Sequence, residues 1–244
     1  MADYPIETAA ARSPRRTAWL DVALILVAAA AMLALPAPDA GGAVAAQLMV
    51  PLRMLLLVAA ATLLLRWRGL TWADVGLRRT GSWRRTLLLV GGGYLALALC
   101  AGLLMAFVLP ALGQPAQASA AAFASIEGQL WKYLSWLAIA WTSAAIGEEL
   151  IFRGFLQSRL EAGFGPGRAG AVLALLVQAT VFGFAHGYQG IGGVLLTAAA
   201  GLVLGGVRLA ARRGLIPSML LHGLIDTISL TAVYLGALSL AQGV

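Results

Sequence analysis

Acidic residues are scarce in this chain, ten in 244 positions, and charged residues of both signs reach only 11%. Water-exposed globules carry about 25% charged residues, so a soluble domain of this composition is excluded. Cysteine is nearly missing. The single Cys100 rules out a disulfide framework and any clustered Cys/His metal site. Only one of the 17 basic residues is lysine, and there are only two histidines, His186 and His222. No repeat of fixed period occurs, and no stretch is left over for a separate soluble domain. The net charge of +7 would suggest nucleic acid in a soluble protein. Here the arginines sit in short connections between apolar runs and form no basic face, so nucleic acid is excluded as a partner.

What is present is hydrophobic: 61% of residues, with a mean hydropathy of +0.87. Apolar runs bounded by Arg, Gly and Pro predict seven helices, at 18–36, 44–65, 86–109, 130–160, 169–187, 190–211 and 217–240. Each is at least about as long as the roughly 20 residues that a membrane span requires. Arginines gather before the first helix (Arg12, Arg15, Arg16), in the second connection (Arg66 to Arg85), around the fourth (Arg153, Arg159, Arg168) and around the sixth (Arg208, Arg212, Arg213). The alternate connections carry almost none. This asymmetry predicts a multi-pass membrane protein with a cytoplasmic N-terminus. The expected fold is therefore an all-α, polytopic membrane helix bundle of about seven transmembrane helices. The basic start followed by Leu20–Leu35 imitates a secretory signal, with a weak cleavage region at Ala37–Ala40, but the run is as long as a full span and is read as a retained helix. Trp67, Trp72 and Trp83 mark the second connection as an interfacial segment, and Pro110 to Ser125 reads as an external loop.

Within this apolar chain three segments carry costly groups. Ionisable side chains at membrane depth usually line a pathway or an active site. Glu148, Glu149 and Arg153 lie in SAAIGEELIFRG. Residues four apart share a helix face, so Glu149 and Arg153 are expected to pair, while Glu148 points about 100° away and keeps a carboxylate free for proton transfer. The bland alternative is a solvated helix end. His186 closes the segment FGFAH and reads equally as a packing residue. In HGLID, His222 and Asp226 lie one turn apart, where Asp226 can hold the imidazole in one tautomer or simply neutralise it. Depth is the check on convergence. At 1.5 Å per residue, Glu148 lies about 27 Å from the outer surface and His222 about 13 Å from the cytoplasmic one, which agree. His186, 18 residues after Arg168, falls near the outer side, unless helices four and five project into the cytoplasm as a hairpin around Gly163–Gly167.

EELIFRG, FGFAH and HGLID, in this order, resemble the EExxxR, FxxxH and HxxxN/D motifs of the CPBP family, the CAAX prenyl endopeptidases and bacteriocin-processing (abortive-infection) proteins. WADVGLRR followed by SWRRTLLL is similar to the family's lead-in, so the resemblance runs from about residue 72 to 226 and omits the first two helices. It implies an intramembrane endopeptidase with Glu148 as general base and His186 polarising the attacking water. His222 and position 226 would face the scissile carbonyl, and Glu149 and Arg153 would form the supporting ion pair. Many relatives carry asparagine at 226. An aspartate beside an oxyanion would repel it, so Asp226 is expected to orient His222 instead. Two histidines and a carboxylate suit zinc, with Glu148, His186 and His222 as its ligands. Because zinc would leave no second carboxylate clearly free as base, the expected catalysis is metal-free and needs no cofactor.

The expected organisation is a cytoplasmic tail (1–17), two N-terminal transmembrane helices (18–71) and a CPBP-like core (72–244). The expected partners are the lipid bilayer and a membrane-associated peptide or protein substrate. Arginine and alanine bias suggests a bacterial cytoplasmic membrane. The rival readings are a non-catalytic immunity or scaffold protein of the same fold and a proton-coupled transporter. The transporter ranks last, since the chain shows no paired halves with broken helices.

Overall fold

A computed structural model describes residues 14–34, 43–114 and 123–236. The signal-like Ala37–Ala40, half of the expected external loop and the tail before Pro14 lie outside the described residues. The described chain is helical, in seven elements that follow the predicted runs closely. They are α1 (Pro14–Ala34), α2 (Ala43–Trp67), α3 (Trp83–Ala111), α4 (Leu130 to Phe164), α5 (Arg168–Ala185), α6 (Gly190–Ala210) and α7 (Ile216–Tyr234). The last ends at Tyr234, short of the expected 240, where Gly236 turns the chain at φ +87°. Five segments are long and apolar enough to cross a membrane: Gln47–Trp67, Trp83–Ala111, Arg168–Ala185, Gly187–Ala210 and Ile216–Tyr234. The expected count of seven is thus reached for five. The protein is a multi-pass integral membrane protein, and its outer face agrees: Leu63, Leu87, Leu88, Leu95, Leu99 and Phe184 are all exposed, a surface that lipid covers and water would not tolerate.

Helix α4 departs from a regular α-helix. Its middle, Ala140–Leu156, is π-helical, and it closes with the Gln157 N–H bonded to Phe152 O, five residues back. Isolated π-turns recur at functional sites; here the wide turn runs through the whole motif. More residues per turn means less rotation between neighbours, so Glu148 and Glu149 diverge by less than the 100° of an α-helix. Its buried face, with Ile151, Phe155, Leu156 and Leu160, packs into the main apolar core with Val22 and Ile25 of α1 and Leu57, Ala61 and Leu65 of α2. The two N-terminal helices are therefore packed directly on the motif helix. Asp21 of α1 fastens this arrangement. It accepts from Arg68 Nη2 at 2.7 Å and lies 3.8 Å from Arg159 Nη1 of α4, with only 1% of its surface exposed.

Helices α5 and α6 approach through small residues. A Cβ on Gly201 would lie 2.9 Å from the Ala179 Cα, and one on Gly183 would lie 2.8 Å from Val194 O. Small residues at such positions let backbones close up, the main source of helix packing in lipid. At the arginine-rich end, Glu161 of α4 accepts from Arg208 of α6 at 2.5 Å and from Arg213 at 2.6 Å. The second connection folds back there too. Leu215 N donates to Gly76 O at 3.0 Å, and Gly76, at φ +114°, has no room for a side chain because the Arg213 carbonyl abuts it. Only glycine fits that crossing.

Candidate active site

Glu149 and Arg153 behave as their spacing predicts. Both are fully buried, and Arg153 Nη1 lies 2.8 Å from Glu149 Oε1. That contact is electrostatic: the three guanidinium nitrogens make no aligned hydrogen bond among the described residues. Instead the guanidinium carbon stands 4.2 Å from the centre of the Phe182 ring, within the range of a cation–π contact. Arg153 thus joins α4 to α5 through the first residue of FGFAH.

The same carboxylate does a second job that the sequence left unassigned. His222 Nδ1 lies 3.0 Å from Glu149 Oε1. A carboxylate only accepts, so Nδ1 carries the proton and Nε2 is the atom turned forward. The expectation that Asp226 holds the imidazole needs correcting. Asp226 Oδ2 is 3.8 Å from Nε2, the other nitrogen, beyond hydrogen-bond reach. Spacing alone favoured Asp226, because one turn of α7 separates it from His222; the tighter partner comes from another helix, which local sequence cannot display.

Glu148 sits beside this pair. Its Oε2 lies 4.0 Å from His222 Nε2 and is buried without a hydrogen-bond partner among the described residues, although the side chain as a whole is 18% exposed. The solvated-helix-end alternative does not describe such an oxygen. Glu148, His222 and Asp226 therefore share one small polar space, with Nε2 between the two carboxylates.

His186 joins from α5. Its Nδ1 lies 2.9 Å from the Phe182 carbonyl oxygen, one turn back; a carbonyl only accepts, so here too Nδ1 is protonated and Nε2 is left for other partners. Both histidine rings pack against Phe182, at centroid distances of 4.7 Å for His186 and 6.1 Å for His222. His186 lies close enough to act electrostatically on Asp226. The depth conflict is resolved by the α4–α5 hairpin. It turns between Phe164 and Arg168, so Glu148 and His186 stand 16 and 18 residues from their ends of the turn, and Phe152 meets Phe182 ring to ring at 4.8 Å. The two motifs are level because the strands of the hairpin are nearly equal, wherever the membrane surface falls.

Three neighbours were not singled out from the sequence. Tyr188, exposed, lies with its ring 5.9 Å from His186 and within electrostatic range of Glu148 and Asp226. Ser218 approaches Glu149. Trp141 covers Gly223, where a Cβ would come within 2.6 Å of the indole, and its Nε1 donates to Thr227 at 3.1 Å. Aromatic and hydroxyl residues are common in such helices, and no spacing distinguishes these three. Among the described residues no three His, Cys, Asp or Glu side chains are grouped to hold a metal ion. No step below runs through a metal.

Residues 130–228 match the family model described as Rce1-like, type II CAAX prenyl endopeptidase. Over this segment the chain is similar to that family. The match covers Glu148, Glu149, Arg153, His186, His222 and Asp226, so the resemblance drawn from the three motifs holds, and the family is one of proteases. No curated protein and no solved structure matches the chain.

Proposed function

We propose that the protein is an intramembrane endopeptidase that hydrolyses a peptide bond of a membrane-associated or prenyl-type protein or peptide through water activated by glutamate and histidine. The observation that carries this reading is the buried Glu148 Oε2, unpartnered and 4.0 Å from His222 Nε2. That gap is too long for a direct hydrogen bond and suits one bridging water. In the proposed reaction Glu148 accepts a proton from the water as its oxygen bonds to the carbonyl carbon. The C–N bond then breaks, and Glu148 returns the proton to the leaving amine, the usual double use of one acid–base group. His186, through Nε2, orients the water. His222, held at Nδ1 by Glu149, presents Nε2 to the oxyanion and donates to it in the imidazolium form, a preorganised donor in a low-dielectric site. Asp226 borders the same space and helps to place the substrate amide. Glu149 and Arg153 position His222 and touch no reacting atom.

The proposed topology has seven spans, a cytoplasmic N-terminus and the Glu161–Arg208–Arg213 cluster at the cytoplasmic surface, in a bacterial inner membrane. The arginine asymmetry supports it. Labelling of single cysteines introduced at Ser82 and Gly113 from opposite sides of sealed vesicles tests it.

Function is tested by comparing protein termini in cells bearing the native chain or Glu148→Ala. New termini that appear only with the native chain support the proposal. Identical termini, together with full biological activity of the variant, would favour a non-catalytic scaffold of the same fold.

A further inference from the structure

A second polar feature lies away from the glutamate–histidine site. A cavity of about 340 Å³ opens where the N-terminus of α3, the end of α6 and the start of α7 meet, and none of its lining residues comes from α4 or α5. Arg78, Arg79, Arg85 and Arg212 line it, and no carboxylate does. None of the four forms an ion pair among the described residues, in contrast to Arg68, Arg153, Arg208 and Arg213. Two are anchored rather than loose. Arg78 Nη2 donates to Arg212 O and Arg85 Nη2 to Ala210 O, each at 2.5 Å. These bonds cap the end of α6 and use one of the five N–H donors that each guanidinium carries. Arg212 itself is presented from a left-handed backbone, φ +54°, a conformation rare outside glycine.

Four guanidinium groups around one cavity repel one another, and no acidic side chain among the described residues offsets them. The rest of the lining indicates what does. Leu89 and Ile216 give the cavity an apolar side. Next to it, the first turns of α3 expose Trp83, Leu87 and Leu88 by 61–67%, a path for an acyl chain. Charge at one end and hydrocarbon at the other match an amphiphile better than a free ion. We propose that this cavity binds the phosphate head group of an anionic phospholipid. Basic pockets between transmembrane helices take such head groups. The site would tie the second connection and the α6–α7 turn to the leaflet, and it stands independently of the protease reading.

The test measures binding by the full-length protein in mild detergent of a short-chain phosphatidylglycerol, with a short-chain phosphatidylcholine and glycerol phosphate as comparisons. Saturable phosphatidylglycerol binding that weakens with salt is expected, with no binding of the choline lipid in the same range. An arginine near the leaflet surface is worth about fivefold in lipid affinity. Arg79→Gln/Arg212→Gln should therefore weaken binding about 30-fold, Arg79→Gln alone about fivefold, and Arg84→Gln, which is exposed and outside the lining, less than twofold. The single variants keep the test valid should the double variant not fold. Binding unchanged in Arg79→Gln, or equal binding of the choline lipid, would overturn the proposal. Glycerol phosphate competing as well as the lipid would overturn the lipid source in favour of a free phosphate.

Discussion

Glu148→Gln and Glu149→Gln exchange the same atoms at neighbouring positions, yet the structure assigns them opposite effects. Glu149 is fully buried, 2.8 Å from Arg153 and 3.0 Å from His222. Glutamine there keeps the volume but leaves a buried guanidinium without its counter-charge. Removing one partner of a buried ion pair costs about 3–5 kcal/mol, a large part of the roughly 5–15 kcal/mol that holds a domain together. Glu148 has no contact with a cation shorter than the 4.0 Å to His222 Nε2, and its Oε2 accepts no hydrogen bond among the described residues. Glutamine at 148 should change stability by under about 1 kcal/mol, within the range of substitutions that break no named interaction. Activity should divide the other way. Loss of a general base lowers the rate about 10²–10⁴-fold, equivalent to roughly 3–5 kcal/mol of barrier. Glu148→Gln should therefore give a stable, inactive protein, and Glu149→Gln an unstable one that also loosens the hold on His222. The assay is denaturant unfolding in mild detergent, with the midpoint shift converted through the m value, beside cleavage of a membrane-tethered reporter peptide. Equal destabilisation by both variants, or a fully active Glu148→Gln, would refute the reasoning.

Asp226→Asn should leave cleavage within about tenfold of the native rate, that is within about 1.4 kcal/mol of barrier, because Glu149 and not Asp226 holds His222; a loss beyond a hundredfold in kcat would return the orienting role to Asp226. Cleavage by the purified protein should survive a strong chelator and be independent of added zinc; stoichiometric bound zinc with loss of activity on its removal would overturn the metal-free mechanism. Gly201→Ala should destabilise by about 1–3 kcal/mol, as overpacking does, since the new methyl would meet the Ala179 backbone at 2.9 Å; unchanged unfolding would show that α5 and α6 separate freely. Outside the spans, Asp74 accepts from Thr71 N and Oγ1 at 2.7 Å each, and these bonds hold its pKa below the ordinary aspartate value. Its support of the 71–74 turn should be complete above about pH 4 and fade as pH falls through the lowered pKa; amide exchange at Thr71 that does not quicken on acidification would contradict this.

Much of this architecture follows from local rules. Where apolar runs are bounded by Arg, Gly and Pro, helices form at nearly the predicted places, because a backbone in hydrocarbon must satisfy its own hydrogen bonds and the helix is the local way to do so. The Glu149–Arg153 pair was legible for the same reason, since an i,i+4 contact survives even the wider turn of α4. His222 and Asp226 show where locality misleads: correct spacing, wrong partner. The level standing of His186 and Glu148 also escaped a residue count taken from the membrane surface, because the hairpin turn, not the surface, is the proper origin.

The amino-acid order determined by itself that the chain is helical, apolar and multi-pass, and marked six ionisable side chains as candidates for a site. Only tertiary packing decided that Glu149 grips His222 as well as Arg153, while Glu148 keeps a buried oxygen without a partner among the described residues. It alone also gathered four arginines from two distant connections around one cavity. The physical reason is range. Backbone hydrogen bonding and hydrophobic periodicity act within a few residues, whereas the partner of a buried charge is chosen by whichever helix packs beside it.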